Sequence, residues 1–355
     1  MKYLLYARMV TAPRRFVAVA ILSVVAVVSV FGTGEAEADL QGDERVAIEV
    51  GYMPILPVAQ VMIIDGLGWA AEAGIDMEMV RFQNGPSMVQ AAASGSLDVM
   101  NVGIGPAMVT RAAGQDIKVV ASSIVEQIAF IANEPLAQLF DPAAPADLFA
   151  TFEQQNGRKA RVATFPTGSV PDTVLRYWLV ERLGVGTDAV EIVPMGAAQV
   201  QQALLTGSVD GASILEPTLT LVVDRDPTAQ VLVRADSMFP SQPGAVLGVR
   251  ESLIAAHPDV VATLVQLHVR ATEFLLENPQ QAAELVANYI GEGLIEARVL
   301  QQAIEAPTTN FRADPRLIVE STRQMHDFQL AQGSLAQAVP LDELFDVSFY
   351  ERAVE

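Results

Sequence analysis

Cysteine is absent from the 355-residue chain, and only three histidines occur. The absence of cysteine excludes disulfides, thiolate metal sites and thiol nucleophiles. His257, His268 and His326 form no pair at the i, i+4 spacing that a metal site on a helix needs. The sequence also lacks a phosphate-loop lysine motif, a Rossmann fingerprint and a nucleophile elbow. It therefore predicts no cofactor, no metal and no enzymatic activity.

Basic residues are also scarce, with 22 Lys and Arg against 42 Asp and Glu and a net charge of −20. Without the first 38 residues, which hold four basic and two acidic residues, 18 basic residues face 40 acidic ones. Such a surface repels nucleic acid and anionic lipid head groups. It also repels small anions at long range, so any anion site must be made locally.

The N-terminus is the one long apolar stretch. Lys2, Arg8, Arg14 and Arg15 precede the apolar run 16–31, and the small-residue pattern Ala36-Glu37-Ala38 follows it. This layout predicts a secretory signal peptide over residues 1–38, cleaved after Ala38, and hence a periplasmic protein. The run of 16 residues is shorter than the roughly 20 of a spanning helix. An uncleaved membrane anchor is the alternative.

One stretch occurs twice. Residues 88–106 read MVQAAASGSLDVMNVGIGP and residues 200–218 read VQQALLTGSVDGASILEPT, so that a constant offset pairs Gly95 with Gly207 and Asp98 with Asp210. Each copy has an apolar-periodic helix, a terminating Gly, an Asp, a β-leaning run and a new helix start, as in the second half of a βαβ unit. If the similarity is not a coincidence, it indicates two similar lobes with a ligand between them.

The order of elements predicts an α/β protein. Strands are expected over 46–52, 75–82, 98–103, 117–123, 128–132, 160–165, 190–195, 230–234 and 246–250. Helices are expected over 58–73, 145–155, 257–277, 279–290, 296–304 and 315–332, with another that ends near Leu183. This order predicts lobe 1 from 45–134 plus 242–355 and lobe 2 from 135–241, joined by a two-segment hinge.

Ligands of open α/β sheets bind beyond the carboxyl ends of the strands. Applying that rule to the predicted strands selects six loops as the candidate site. The candidate ligand-binding residues from these loops are Met53, Pro54, Asn84, Gly103, Gly105, Pro106, Gln127, Thr167, Gly168, Ser169 and Glu216. Catalytic residues are not predicted.

Two of these loops carry specific chemistry. Thr167-Gly168-Ser169 opens a helix, so free N–H groups and hydroxyls there form an anion cradle, unless Ser169 only caps its own helix. Glu216 favours an ammonium group or a hydroxyl donor and opposes a simple anion, unless an Arg pairs with it or it is protonated. Arg81 and Arg176 are candidates for positive charge near the cleft, or else solvated surface residues.

The sequence resembles the periplasmic solute-binding proteins of ABC importers, of the nitrate/sulfonate/taurine type. The matching segments are VGYMPILPVAQ (50–60), RFQNGPSMVQAAASGSLDVMNVGIGPAM (81–108), FPTGSVPDTVLRYWL (165–179), QVQQALLTGSVDGASILEPT (199–218) and DFQLAQGSLAQAVPLDELFDVSFYERA (327–353). The resemblance implies a type II periplasmic binding fold whose two mixed, mostly parallel sheets close on a ligand.

It further implies a function and partners. The protein is expected to be a monomer that captures a small oxyanion-bearing or zwitterionic nutrient without catalysis. It then passes the nutrient to a permease and its ATPase. Two alternatives remain open: an enzyme resembling the pyridoxal-dependent thiamine-pyrimidine synthases, and a membrane-anchored sensory module. The enzyme would need a Cys-rich segment and a pyridoxal-binding lysine, whereas the chain after Ala38 has no Cys and only Lys118 and Lys159.

Overall fold

The computed structural model describes residues 45–291 and 295–355. Residues 1–38, assigned above to a signal peptide, lie outside the described residues. All the elements named below lie within one compact unit, which the described residues from Arg45 onward form. Across 45–291 and 295–355, no helix has the length and apolar character that crossing a bilayer requires.

The strands and helices follow the predicted order closely. The strands are β1 (Val46–Tyr52), β2 (Ile75–Arg81), β3 (Val99–Gly103), β4 (Ile117–Ser122), β5 (Ile124–Val125), β6 (Ala129–Ala132), β7 (Ala160–Thr164), β8 (Val190–Pro194), β9 (Gly211–Ile214), β10 (Gln230–Arg234), β11 (Ala245–Arg250) and β12 (Asn310–Phe311). The helices are α1 (Ala59–Gly66), α2 (Trp69–Glu72), α3 (Gly85–Ala93), α4 (Ile104–Ala112), α5 (Leu148–Asn156), α6 (Val170–Tyr177), α7 (Ala197–Leu205), α8 (Thr218–Arg225), α9 (Ala235–Met238), α10 (Glu251–Ala256), α11 (Pro258–Glu277), α12 (Pro279–Val286), α13 (Ala297–Ile304), α14 (Val319–Ala331), α15 (Leu341–Leu344) and α16 (Ser348–Val354).

Two predicted helices are interrupted. The helix expected over 58–73 breaks into α1 and α2 at Gly68, whose φ of 70° lies in the left-handed region that glycine tolerates. The helix expected to end near Leu183 is α-helical only as far as Tyr177, and a π-helical turn, Trp178–Arg182, follows it. Trp178 is buried there, with its ring 5.0 Å from that of Phe130.

The first sheet has the strand order β2-β1-β3-β11-β4. β1 pairs in parallel with β2 and β3, whereas β11 is antiparallel to β3 and β4. Four strands therefore run in one direction and β11 runs in the other. The central strands β1 and β3 bury Ile48, Val50, Val99 and Val102, because apolar side chains fill a parallel sheet that is covered on both faces.

The second sheet repeats this plan with the order β10-β6-β9-β7-β8. β7 pairs in parallel with β8 and β9, and β6 is the reversed strand, antiparallel to β9 and β10. This strand, expected over 128–132, falls within the residues predicted for lobe 1, 45–134. It lies in the second sheet instead, because its backbone hydrogen bonds go to β9 and β10.

The chain passes between the sheets twice, along two adjacent segments. On the outward segment β5 pairs with β12, and the N–H of Glu126 donates to the carbonyl oxygen of Gln242 on the return segment at 2.8 Å. Glu126 and Ser241 both have positive φ values, 51° and 57°. These two segments form the hinge region between the lobes.

The two copies of the repeated sequence make corresponding hydrogen bonds in the two sheets. The N–H of Asp98 donates to the carbonyl oxygen of Glu49 in β1, and its carboxylate accepts from the N–H of Glu49 at 3.1 Å. Asp210 makes the same pair of bonds to Arg161 in β7, with the N–H of Arg161 at 2.8 Å. An arginine also pairs with each carboxylate. Each Asp thus joins the start of its own strand to the central strand beside it.

Candidate functional site

The candidate site is a cavity of about 30 Å³ between the two sheets. It lies where strands of both sheets end, because its walls come from the segments that follow β1, β2, β3, β7 and β9, together with the hinge region. The lining residues are Met53, Ile55, Gly85, Val102, Gly103, Pro106, Gln127, Phe165, Ser169, Val170, Pro171, Leu215 and Ala245. Most of them are apolar, as is usual for a small-molecule pocket.

Five of the eleven candidate residues line this cavity: Met53, Gly103, Pro106, Gln127 and Ser169. The other six lie in the same loops but not on its wall. The side chain of Thr167 is exposed and Pro54 is half-buried. Asn84 caps α3 by accepting a hydrogen bond from the N–H of Ser87 at 3.0 Å. Whether the candidates contact a ligand stays a prediction.

Gly105 and Gly168 lie beside the cavity where the two lobes touch. A methyl group added to Gly105 would overlap with the carbonyl oxygen of Gly168. At Gly103, an added Cβ would lie 3.0 Å from a methyl carbon of Val170. The backbones of the two lobes therefore approach each other as closely as they do only because glycine stands at these positions.

The Thr167-Gly168-Ser169 turn uses much of its hydrogen-bonding capacity within the protein. The N–H of Gly168 donates to a carboxylate oxygen of Asp172 at 3.2 Å, and the N–H of Ser169 donates to the carbonyl oxygen of Pro166. The hydroxyl oxygen of Ser169 accepts from the N–H of Asp172 at 3.4 Å and so caps α6.

Asp172 forms a buried ion pair at the start of α6. Its side chain is 1% exposed, and one carboxylate oxygen lies 2.9 Å from Nε of Arg176. Burial raises the pKa of Asp172, while Arg176 and the N–H of Gly168 oppose that shift. Arg176, considered above as a possible cationic ligand group, thus pairs with Asp172.

Gln127 is the polar residue of the hinge region that lines the cavity. It is 2% exposed, and its backbone N–H donates to the side-chain oxygen of Gln242 at 3.0 Å. Its own side-chain oxygen is buried and has no hydrogen-bond partner within the described part of the protein. An unpartnered acceptor in an apolar cavity is a group that a bound molecule can satisfy.

Glu216 lies outside the cavity, although its neighbour Leu215 lines it. Its carboxylate accepts from the N–H and hydroxyl of Thr220, each at 3.0 Å, and from the hydroxyl of Thr308 at 2.8 Å. Burial raises the pKa of Glu216 to about 7, against the effect of these hydrogen bonds. The residue faces a second cavity of about 370 Å³, which Asp224 and Arg234 also line.

Contacts outside the first cavity also link the two lobes. Gln329 of α14 donates to the carbonyl oxygen of Gly168 at 3.1 Å and to the hydroxyl of Thr173 at 2.7 Å. On the side of Glu216, Arg298 of α13 pairs with Asp224 of α8 at 3.0 Å. The sequence gives Gln329 no distinguishing signal, because it lies within an ordinary amphipathic helix.

Two of the histidines have structural partners. His268 is fully buried, its Nε2 lies 2.8 Å from the carbonyl oxygen of Ser122, and burial lowers its pKa to about 4. His326 accepts a hydrogen bond from the N–H of Val339. Within 45–291 and 295–355, there is no cluster of three or more His, Asp or Glu side chains suited to a metal ion.

The model of the NMT1-like family matches residues 41–291 of the sequence. The chain belongs to the NMT1-like family. Among its relatives, a putative binding protein of Brucella abortus (strain 2308) is 26% identical over 250 residues, which are 70% of this NMT1-like chain and 72% of the relative. The taurine-binding periplasmic protein of Escherichia coli (strain K12) is 26% identical over 243 residues, 66% of this chain and 68% of that protein.

Solved structures show the same fold. The ligand-binding component of an ABC-type import system from Staphylococcus aureus, with zinc bound, matches with a TM-score of 0.71 and 21% identity, over 87% of this chain and 99% of that one. The periplasmic nitrate-binding protein of Synechocystis PCC 6803 matches with a TM-score of 0.73 and 13% identity, over 88% and 89%. The predicted α/β fold class and the predicted resemblance to such binding proteins are confirmed for this NMT1-like chain.

Proposed function

We propose that this chain is the solute-binding component of an ABC-type importer. It would hold a small molecule between its lobes and deliver it to a permease and its ATPase. The observation that carries this proposal is the convergence of five strand ends, from both sheets, on one cavity. Strand ends are the usual ligand position in open α/β sheets, and two lobes joined by a hinge can close around a solute.

The relatives support the proposal. One is named a taurine-binding periplasmic protein, and one solved structure is the ligand-binding component of an ABC-type import system. The name of the taurine-binding relative supports a periplasmic location, and we further propose cleavage after Ala38 and a monomeric state. We also propose that the lobes meet along the hinge segments 123–128 and 239–244, so that the outward crossing comes before residue 134.

The class of solute is a separate question. The family resemblance implies an oxyanion-bearing or zwitterionic nutrient, and the name of the taurine-binding relative agrees with that expectation. The groups around the cavity favour a different class.

Native mass spectrometry and small-angle scattering test the proposal together. We expect protein purified from its native host to carry a small molecule and to have a smaller radius of gyration than the same protein after unfolding, dialysis and refolding. Returning the released molecule should restore the compact form, because ligand binding stabilises the closed lobes. A radius of gyration that does not respond to the released molecule contradicts the proposal.

Export is tested separately. Sequencing the N-terminus of the protein recovered from the periplasm should give Asp39 as the first residue. Recovery of an intact N-terminus in the membrane fraction would contradict both the cleavage and the free periplasmic location.

A further inference from the structure

We infer that the cavity between the lobes takes a small, uncharged carboxamide rather than an oxyanion or a sulfonate. The inference rests on the proposed function, since it names the solute of the same site. It follows from three features of the site: the charges on the cavity wall, the state of the α6 turn, and the polar groups that face the cavity.

The wall of the cavity carries no charge. Among the described residues that line it, Gln127 and Ser169 alone have hydrogen-bonding side chains, and the others are apolar or glycine. A cavity of about 30 Å³ has space for a few atoms, since one water needs roughly 10–15 Å³. An ion in such a small apolar space loses its hydration and gains no countercharge, which opposes its binding.

The start of α6, predicted above as an anion cradle, already holds a carboxylate of the protein itself. Asp172 accepts the N–H of Gly168, and its own N–H donates to Ser169. The N–H of Ser169 donates to Pro166, and Pro171 in the first turn of α6 has no N–H to offer. An incoming oxyanion would therefore compete with an internal carboxylate and be repelled by it.

The two polar groups on the wall complement an amide. Beside its two N–H donors, the side chain of Gln127 has a buried oxygen without a partner among the described residues, and this oxygen calls for an N–H or O–H donor on the solute. Ser169 uses its oxygen as an acceptor for Asp172, so its hydroxyl hydrogen can be donated to a carbonyl oxygen. A primary carboxamide offers both an N–H donor and a carbonyl acceptor, whereas nitrate and sulfonates are acceptors only.

Matched pairs of probes test the inference on the wild-type protein after ligand removal. Calorimetry would compare acetamide with acetate, isobutyramide with isobutyrate and methanesulfonamide with methanesulfonate, with nitrate and taurine as further anionic and zwitterionic probes. In at least one carboxamide pair, we expect the amide to bind at least about tenfold more tightly than its carboxylate, and to compact the protein in scattering. Tighter binding of any carboxylate, sulfonate, nitrate or taurine overturns the inference.

Two variants test the groups involved. Gln127→Leu should weaken binding of the preferred amide by about tenfold, as expected when one hydrogen bond to the solute is lost. Asp172→Asn keeps an acceptor for Gly168 but removes the internal charge, so it should strengthen methanesulfonate binding by about tenfold or more. Asp188→Asn is the matched control, since that carboxylate is 91% exposed in the same lobe, and it should change neither affinity. An unchanged methanesulfonate affinity in a folded Asp172→Asn protein contradicts the role of Asp172.

The outcomes separate this inference from the proposed function. If the molecule released from native protein compacts the lobes and is an anion, the inference is wrong and the proposed function stands. If neither that molecule nor any probe compacts the protein, the proposed function fails, and the inference fails with it.

Discussion

Glu216 is a buried carboxyl group, and its loss of hydration raises its pKa more than its hydrogen bonds lower it. The pKa therefore rises from 4.5 to about 7. The folded protein therefore binds a proton more tightly there than the unfolded chain does. The protonated group makes its full contribution to stability below about pH 4.5. This contribution is lost as the pH rises through the folded-state pKa of about 7.

Glu216→Gln should remove this pH dependence. We expect the free energy of unfolding of the wild type, relative to the variant, to fall by about 2–3 kcal/mol between about pH 5 and about pH 8. Urea unfolding of both proteins across this range measures the difference. Since the variant keeps the same size and every other titrating group, curves that stay parallel would show that Glu216 does not titrate as described.

Gly105 tests the close approach of the lobes. A methyl group there would overlap with the carbonyl oxygen of Gly168, so Gly105→Ala should hold the lobes apart without disturbing either core. We expect solute binding to weaken by about tenfold or more and the ligand-induced compaction in scattering to disappear. Gly66→Ala is the control, because its added methyl would lie 3.5 Å from Leu285, an ordinary contact. Full compaction of the Gly105→Ala protein would show that the lobes can close without this backbone contact and would contradict the prediction.

At the scale of elements, Asp98 and Asp210 join corresponding strands in the two sheets. Each carboxylate accepts a backbone N–H from the central strand and pairs with an arginine. We expect Asp210→Asn to lower the free energy of unfolding by about 1–3 kcal/mol, because it weakens charge-assisted hydrogen bonds at a largely buried site. Asp98→Asn should cost less, since the Asp98 side chain is 21% exposed and that of Asp210 is 9% exposed.

Denaturant unfolding near neutral pH measures both effects. Asp188→Asn, at an exposed position, should stay within about 0.5 kcal/mol of the wild type. The pKa of Asp210 is lowered by Arg158 and the N–H of Arg161 against the effect of burial, so its contribution should vanish as the pH falls below that lowered pKa. A loss for Asp210→Asn no larger than that for Asp188→Asn would contradict the structural role of the repeat.

For the whole molecule, the dominant electrostatic feature is the excess of acidic residues. After removal of residues 1–38, 40 acidic residues face 18 basic ones, so the folded protein repels itself at low ionic strength. Raising sodium chloride from about 20 mM to about 500 mM shortens the Debye length several-fold and should raise Tm by a few degrees. Differential scanning calorimetry measures the shift, and tetramethylammonium chloride should give the same result. A flat or falling Tm would contradict the screening argument.

The sequence by itself determined the order of most strands and helices and the loops that surround the cavity. Alternating and helical apolar patterns gave strands such as 46–52 and 230–234 at their observed bounds, because these patterns reflect which side of an element is buried. The strand-end rule selected loops that supply most of the cavity wall, including residues such as Phe165 and Leu215 that were not singled out. Gly and Pro residues in the sequence indicated where those loops begin, because they interrupt regular strands and helices.

Only the tertiary structure decided what those loops present to a solute. β6 belongs to the second sheet because it pairs with β9 and β10. These strands come about 80 or more residues later in the chain, so no local pattern reveals the pairing. Asp172 took the hydrogen bonds of the Gly168 turn, and Glu216 turned toward Thr308, 92 residues away. The direction of a loop side chain depends on which buried donors and acceptors lie nearby, and distant segments supply many of them. Local patterns therefore locate the loops around the cavity, whereas long-range contacts decide which charged groups lie close to it.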